Sequence, residues 1–209
     1  MPTLDVCTSV EFFAPFQNPG RTIKATRHRH HEHQKYMAGA TNVGKTSLVA
    51  AACRGEVRTY PPTMGIDMQM FSEGDLRLAC WDTSGQKRFE TVVSIFIKDC
   101  KVVVLVYDVN DPTSLEAAKE WYERVRGRVS PDNLLKIYMV GNKMDLEVKV
   151  DAEHVSQYCE ERRIEHFKLE SHDQVAVRAF MRYIAESNQA RVLEVDKPSD
   201  TGQDCCAVV

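Results

Sequence analysis

A glycine-rich loop constrains the fold of this chain more than any other feature. Residues 39–46 have the sequence GATNVGKT, which matches the pattern G-x-x-x-x-G-K-[ST]. Its glycines let the backbone curl so that N–H groups point at phosphate oxygens, and a helix beginning near Lys45 adds the positive end of its dipole. Lys45 would reach the β- and γ-phosphates, and Thr46 would offer its hydroxyl to Mg2+. The loop therefore predicts a nucleotide-phosphate site between a strand and a helix, against the alternative of a glycine-rich turn.

Strand-like and helix-like segments alternate between about residues 34 and 187. Strands are predicted over 34–38, 64–71, 76–81, 101–108, 134–140 and 164–169. Helices are predicted over 45–54, 111–128, 151–163 and 174–187. A turn signal at 72–75 predicts a hairpin, and the alternation elsewhere predicts a parallel sheet covered on both faces. The expected fold class is α/β, with a six-stranded, mostly parallel sheet, one antiparallel strand and helices on both faces.

Two further motifs follow predicted strands. WDTSGQ at 81–86 comes at the end of the third strand, and NKMD at 142–145 comes just after the fifth. Ligands of open α/β sheets bind outside the carboxyl ends of the strands, so both motifs are expected to face the same crevice as the glycine-rich loop. Taken singly, Asp and Asn after a strand are common turn formers. The prediction of one shared crevice therefore depends on finding both motifs, in this order, after the glycine-rich loop.

Composition excludes several other classes of protein. The formal net charge of −3 argues against a nucleic-acid binder held by bulk positive charge. The longest strongly apolar run, residues 102–107, is far short of the ~20 residues that span a bilayer, and no secretory signal is expected at the start of the chain. Seven cysteines without metal-like spacing are expected to be reduced thiols of a cytosolic protein.

Three segments are predicted along the chain. These are a flexible extension over 1–33, a folded domain over 34–187 and a flexible polar tail over 188–209. Four histidines lie between residues 28 and 33 and could hold a metal ion. No carboxylate or thiol set of fixed spacing accompanies them, so a solvated extension is the preferred interpretation.

Taken together, the motifs resemble those of a small GTPase of the Ras superfamily, and most of all its Rab branch. The glycine-rich loop, a threonine at 63, WDTSGQ and NKMD occur in the order typical of that family. Rab character lies in GID at 65–67, RF at 88–89 and LVYD at 105–108. The resemblance covers about residues 34–187. It implies the P-loop NTPase fold of small G proteins, with GTP and GDP as substrate and product and Mg2+ as cofactor.

The resemblance also implies a role for each matching residue. Gln86 would orient the attacking water and is the expected catalytic residue. Thr46, Thr63 and, through water, Asp82 would hold Mg2+. The residues expected to contact the nucleotide are Thr41, Asn42, Val43, Gly44, Lys45, Thr46, Ser47, Tyr60, Thr63, Gly85, Asn142, Lys143 and Asp145. Asp145 would accept from N1–H and the exocyclic amine of guanine, a donor pair that adenine lacks.

Some positions depart from the family pattern. The first strand carries Lys35, which is expected to face the sheet edge or solvent. Val57 stands where an aromatic residue would stack on guanine, and Lys87 replaces an acidic residue. The usual S-A-K guanine loop is replaced by KLESHD at 168–173, in which Ser171 is the candidate for the base contact.

The final residues, DCCAVV, place Cys206 in a C-a-a-X prenylation motif beside Cys205. Because the preceding tail is not polybasic, one lipid would bind a membrane only marginally, and lipidation of both cysteines is expected. The resemblance implies a monomer attached to the cytosolic face of membranes, acting in vesicle traffic with an exchange factor, a GTPase-activating protein and effectors. For the tail, the alternative is that the two cysteines are incidental. For the function, the alternative is a nucleotide-binding scaffold that hardly hydrolyses GTP.

Overall fold

A computed structural model describes residues 33–97, 101–128 and 136–195 of the chain. The strands in these residues are β1 His33–Ala38, β2 Ile66–Glu73, β3 Leu76–Thr83, β4 Val102–Asp108, β5 Lys136–Asn142 and β6 Glu165–Lys168. The helices are α1 Lys45–Arg54, α2 Glu90–Ile97, α3 Pro112–Arg128, α4 Ala152–Arg162 and α5 Gln174–Val195. Among these helices, none combines the length and the apolar character that crossing a membrane requires.

The six strands form one sheet in the order β2-β3-β1-β4-β5-β6. β2 and β3 pair antiparallel as the predicted hairpin, and every other neighbouring pair is parallel. This arrangement confirms the predicted mostly parallel sheet. β1 lies in the middle of the sheet, between β3 and β4, so the crevice outside its carboxyl end is where an α/β sheet of this type binds ligands.

Side chains of β1 alternate between two hydrophobic cores, one on each face of the sheet. Tyr36 and Ala38 belong to the core formed with α2, α3 and α4, whereas Met37 belongs to the core formed with α1 and α5. β4 is buried along its whole length, as its run of β-branched residues predicted. Helices therefore cover both faces of the sheet, which confirms that prediction.

Lys35 lies inside this sheet, and the expectation that it faces an edge or solvent is wrong. Its side chain is 1% exposed, and its Cα pairs with Cys80 of β3 on one side and Val102 of β4 on the other. Among the described residues its Nζ has no hydrogen-bond partner. Burial lowers the pKa of this amine to about 7, and the nearby Cys80 opposes the shift. The expectation failed because β1 is flanked by a strand on each side.

Two helices also differ from the sequence prediction. α2 was not predicted, because its apolar residues do not fall on one face: Val93 and Ile97 are buried, whereas Val92 and Ile95 are exposed. α5 continues past its predicted end at residue 187 to Val195. Residues 1–32, which include most of the histidine cluster, and residues 196–209 lie outside the described residues. The three-segment division of the chain therefore stays a prediction.

Candidate nucleotide-binding site

The glycine-rich loop connects β1 to α1 at the centre of the sheet. Gly39 has φ of 146°, and a Cβ there would lie 2.2 Å from the carbonyl oxygen of Val106 on β4. Gly44 has φ of 92°, and a Cβ there would lie 2.2 Å from Nδ2 of Asn142. Both positions therefore need glycine for conformation and for space. Among the described residues no side chain caps the N-terminus of α1 at Gly44, which leaves the first N–H groups of the helix open to a ligand.

The side chain of Lys45 lies across the mouth of this loop. Its Nζ donates to the carbonyl oxygens of Gly39 at 3.1 Å and Ala40 at 2.6 Å. The residue is 5% exposed. Burial lowers the pKa of its amine to about 8, and the carboxylate of Asp82 partly offsets this. A buried ammonium group held by two carbonyl oxygens is positioned to donate hydrogen bonds to anionic phosphate oxygens.

Three oxygen-bearing side chains from separate elements meet beside Lys45. The hydroxyl of Thr46 on α1 is 2.7 Å from Oδ2 of Asp82 on β3, and the hydroxyl of Thr63 is 3.0 Å from the same oxygen. The two hydroxyls are 2.8 Å apart. Burial raises the pKa of the Asp82 carboxyl, against the hydrogen bond from Thr46, the charge of Lys45 and the hydrogen bond from Thr63. The structure thus brings together the three residues that the sequence assigned to a metal ion.

A cleft runs from this cluster along the glycine-rich loop. Its lining consists of Thr41, Asn42, Gly44, Lys45, Thr46, Ser47, Tyr60, Pro61, Pro62, Thr63, Thr83, Ser84, Gly85 and Gln86. Gly85 packs against the loop so closely that a Cβ would lie 2.3 Å from the amide nitrogen of Thr41. Oε1 of Gln86 accepts a hydrogen bond from Nε of Arg88 at 2.7 Å. The hydroxyl of Tyr60 donates to Oε2 of Glu56 at 2.8 Å.

A second cavity adjoins the first and contains the NKMD motif. Its lining consists of Asn42, Gly44, Ser47, Arg58, Thr59, Tyr60, Asn142, Lys143, Asp145, Ser171 and His172. Asn142 is fully buried; its Nδ2 donates to the carbonyl oxygen of Val43 at 2.8 Å, and its Oδ1 accepts from the hydroxyl of Ser171 at 2.9 Å. Lys143 pairs with Asp108 at 2.6 Å. Asn142 therefore holds the phosphate loop, the NKMD loop and the loop before α5 together.

The structure places most of the predicted site residues in these two cavities. Val43 differs, because its side chain is buried in the core on the α1 side and only its carbonyl is seen to contact the site. Val57 lines neither cavity, and Arg58, Thr59 and Tyr60 lie there instead. The sequence did not identify His172 as a site residue. The feature that could have indicated it is its place in the loop that carries Ser171.

The position of the phosphate loop at the centre of this sheet defines the class as P-loop proteins with the Ras-like GTPase fold. Residues 35–189 match the family model described as the Ras family. The mouse (Mus musculus) Ras-related protein Rab-7b is 31% identical over 188 residues, which are 81% of this chain and 94% of the relative.

Other Rab proteins give similar values. The Ras-related protein Rab-13 of Rattus norvegicus is 31% identical over 148 residues, which are 68% of this chain and 72% of the relative. The Ras-related protein Rab-34 of Rattus norvegicus is 31% identical over 175 residues, which are 77% of this chain and 66% of the relative. This chain belongs to the Ras family and is a Rab-like small GTPase.

Proposed function

We propose that this chain hydrolyses GTP to GDP and phosphate and that it acts as a switch in vesicle traffic. The observation that carries the proposal is the meeting of oxygens from Thr46, Thr63 and Asp82 within 3.0 Å of one another. They come from a helix, a loop and a strand that are distant in sequence. Hard oxygen donors beside the buried cation of Lys45 are the arrangement that a Mg2+-bound phosphate chain requires.

The chemistry of these donors fits Mg2+. The set contains two hydroxyls and one carboxylate, and among the described residues Oδ1 of Asp82 is buried without a hydrogen-bond partner. Bound Mg2+ would supply Lewis acidity to the phosphate oxygens. Lys45 would pair with the β- and γ-phosphates, which favour its protonated form although burial lowers its pKa to about 8.

Gln86 would position the attacking water, and Gly85 would donate its N–H to the γ-phosphate. Both line the phosphate cleft. Oε1 of Gln86 is the acceptor that a water would need, and in this structure Arg88 donates to it. A water that donates to this Oε1 must displace Arg88 or share the oxygen with it. We therefore expect slow intrinsic hydrolysis that a GTPase-activating protein accelerates.

Recognition of guanine would lie in the second cavity. The Asp145 carboxylate would accept from the two donors of the base, and the methylenes of Lys143 would lie along its ring. Asn142 is braced by Val43 and Ser171, so it would couple a bound base to the phosphate loop. Thr63 and Gly85, which contact the same cleft from two segments, would respond to the presence of the γ-phosphate.

Attachment to membranes would use lipids on Cys205 and Cys206, which lie outside the described residues. The protein would then be peripheral on the cytosolic face and would meet an exchange factor, a GTPase-activating protein and effectors as a monomer. Two exposed methionines, Met64 and Met68, follow the γ-phosphate-sensing threonine in the sequence, at 70% and 47% exposure. Apolar side chains exposed beside a ligand-sensing segment support a partner surface there.

Single-turnover hydrolysis of GTP tests the proposal. We expect Gln86→Leu to bind GTP and Mg2+ with near-normal affinity but to hydrolyse GTP at least ~10-fold more slowly, because only the group that orients water is lost. Gln157→Leu is the matched control, since Gln157 lies on α4 and donates to Glu161 away from the cleft. Equal turnover in wild type, Gln86→Leu and Gln157→Leu would remove Gln86 from catalysis.

A nucleotide-binding scaffold is the second candidate function. The observation in its favour is the hydrogen bond that engages Gln86 with Arg88. A scaffold would retain GTP through the same assay without measurable release of phosphate.

A further inference from the structure

Three metal-ligating side chains meet at the base end of the cleft. Asp145 lies on the loop after β5, and Glu170 and His172 lie on the loop between β6 and α5. Their ligand atoms all lie within 4.8 Å of one another. Nδ1 of His172 is 3.9 Å from Oε1 of Glu170. The proposed function uses Asp145 but gives Glu170 and His172 no role.

Backbone hydrogen bonds fasten the two loops to each other around this cluster. The Leu169 N–H donates to the carbonyl of Gly141 at 2.8 Å, and the Met144 N–H donates to the carbonyl of Leu169 at 3.3 Å. The Asp173 N–H donates to the carbonyl of Glu170 at 3.0 Å. The three side chains therefore project from a connected backbone frame, which a ligand site needs in order to hold its geometry.

Two cations that line the same cavity are engaged with other carboxylates. Lys143 pairs with Asp108 at 2.6 Å, and Arg58 pairs with Glu56 at 3.2 Å. Within the part of the chain that the structure describes, no lysine or arginine pairs with Asp145 or Glu170. Among the described residues, the two carboxylates of this cluster thus have no ion pair with a lysine or arginine, and a divalent cation would supply the positive charge.

We propose that Asp145, Glu170 and His172 bind a divalent transition-metal ion of the Zn2+ class. One imidazole with two carboxylates is a donor set that Zn2+ accepts, whereas Mg2+ prefers oxygen ligands in octahedral geometry. Tetrahedral Zn2+ holds its ligand atoms about 3.4 Å apart. Side chains that are exposed or half-buried can close by that amount, and a water completes the fourth position.

The consequence for the nucleotide rests on the proposed function. Zn2+ would draw the Asp145 carboxylate towards Glu170 and His172, and it would place positive charge beside the N–H donors of a bound guanine. Zn2+ and guanine nucleotide therefore compete for one site, and by linkage each weakens the binding of the other by the same factor.

Zn2+ titration of the full chain in excess Mg2+, after removal of bound nucleotide, tests the metal site. The histidines at 28–33 and the C-terminal cysteines offer other Zn2+ ligands, so the comparison is between variants of the same chain. His172→Ala removes one proposed ligand, and His154→Ala removes an exposed histidine of α4 that contacts Lys119 instead. We expect His172→Ala to weaken one site at least ~10-fold, because even loss of an outer partner of a metal ligand costs ~10–100-fold. His154→Ala should match wild type, and identical isotherms for all three proteins would overturn the proposal.

The apparent Kd for GDP at increasing Zn2+, again in excess Mg2+, tests the competition. We expect it to rise at least ~10-fold in wild type and in His154→Ala, and to stay level in His172→Ala. Displacement of Mg2+ by Zn2+ elsewhere would affect all three proteins alike, so the difference between variants isolates this site. A Zn2+ site that leaves the Kd unchanged would overturn the competition and the assignment of Asp145 to guanine. If no Zn2+ site is found, the metal proposal fails and the proposed GTPase function is unaffected.

Discussion

Lys35 shows at the residue scale how a single buried amine shapes stability. Its Nζ is buried without a hydrogen-bond partner among the described residues. The unfolded chain keeps the ordinary pKa of 10.5, whereas burial lowers the folded value to about 7. Below pH 7 both states are charged and the folded state carries the cost of desolvation. That cost disappears as the pH rises from 7 towards 10.5, so this residue makes stability increase with pH.

Replacing Lys35 by Met should therefore stabilise the protein most near neutral pH. We expect the free energy of unfolding to rise by on the order of 3 kcal/mol at pH 7, because a desolvated amine gives way to an apolar side chain of similar length. The advantage over wild type should shrink as the pH approaches 10. Urea unfolding at pH 7, 8.5 and 10, with GDP held at one concentration, measures it.

Lys149→Met provides the control for Lys35→Met. The Lys149 side chain is 51% exposed, so its replacement should change stability little and equally at each pH. A constant difference between Lys35→Met and wild type across the three pH values would mean that the buried amine does not lose its proton in this range.

At the scale of elements, the site depends on how closely the glycine-rich loop approaches β4 and β5. Gly39 touches the β4 backbone at Val106, and Gly44 touches the side chain of Asn142 at the end of β5. The loop thus rests on two strands while Thr41, Asn42 and Gly44 line the cleft. This explains why the pattern tolerates ordinary residues at 40–43 but requires glycine at both ends.

Gly39→Ala should lower the free energy of unfolding by on the order of 2–3 kcal/mol, because the new Cβ meets a backbone carbonyl at a positive φ. Gly127→Ala on α3 is the matched control, since its Cβ would meet no atom of the described residues within 4 Å. Alanine in a helix is favoured over glycine, so we expect that variant to gain ~0.5–1 kcal/mol. Equal effects of the two substitutions in urea unfolding would contradict the close approach of the loop to β4.

Local sequence patterns were enough to predict the strands and most helices, because the apolar residues either follow the period of a strand or helix face or, as in β4, form one continuous run. Positions that depend on partners distant in sequence were not predictable in this way. Lys35 looked like an edge residue until the sheet order placed β1 between β3 and β4. α2 was missed since exposed Val92 and Ile95 obscure its buried face.

The candidate site was predictable where a motif is contiguous and less so where loops assemble it. Residues 39–46 and 142–145 carry their spacing in the sequence, and most of them line the two cavities. Ser171 was a candidate only by its place after β6, and its hydrogen bond to Asn142 depends on the fold. Val57 was expected beside the base, but Arg58 and Tyr60 line that cavity, because the path of a loop does not follow from its length.

At the scale of the whole molecule, the proposed lipid anchor is separate from the nucleotide site. Changing both Cys205 and Cys206 to Ser should move the protein from membranes to the cytosol, because two prenyl chains each contribute ~0.8 kcal/mol per buried CH2. GTP affinity should not change. Cell fractionation with mass analysis of the C-terminal peptide measures the result. An unmodified peptide from wild-type protein made in prenylating cells would contradict the anchor.

We propose that Asp145 makes this chain select guanine nucleotides, and a titration of wild type and Asp145→Asn with GTP, GDP, ATP and XTP measures that selection. Wild type should bind GTP and GDP far more tightly than ATP or XTP. Asp145→Asn should lose GTP affinity by ~1–3 kcal/mol for each unpaired buried group and gain affinity for XTP, whose carbonyl replaces the guanine amine. Equal affinity of wild type for GTP and ATP, or no gain for XTP in the variant, would contradict guanine selection by Asp145.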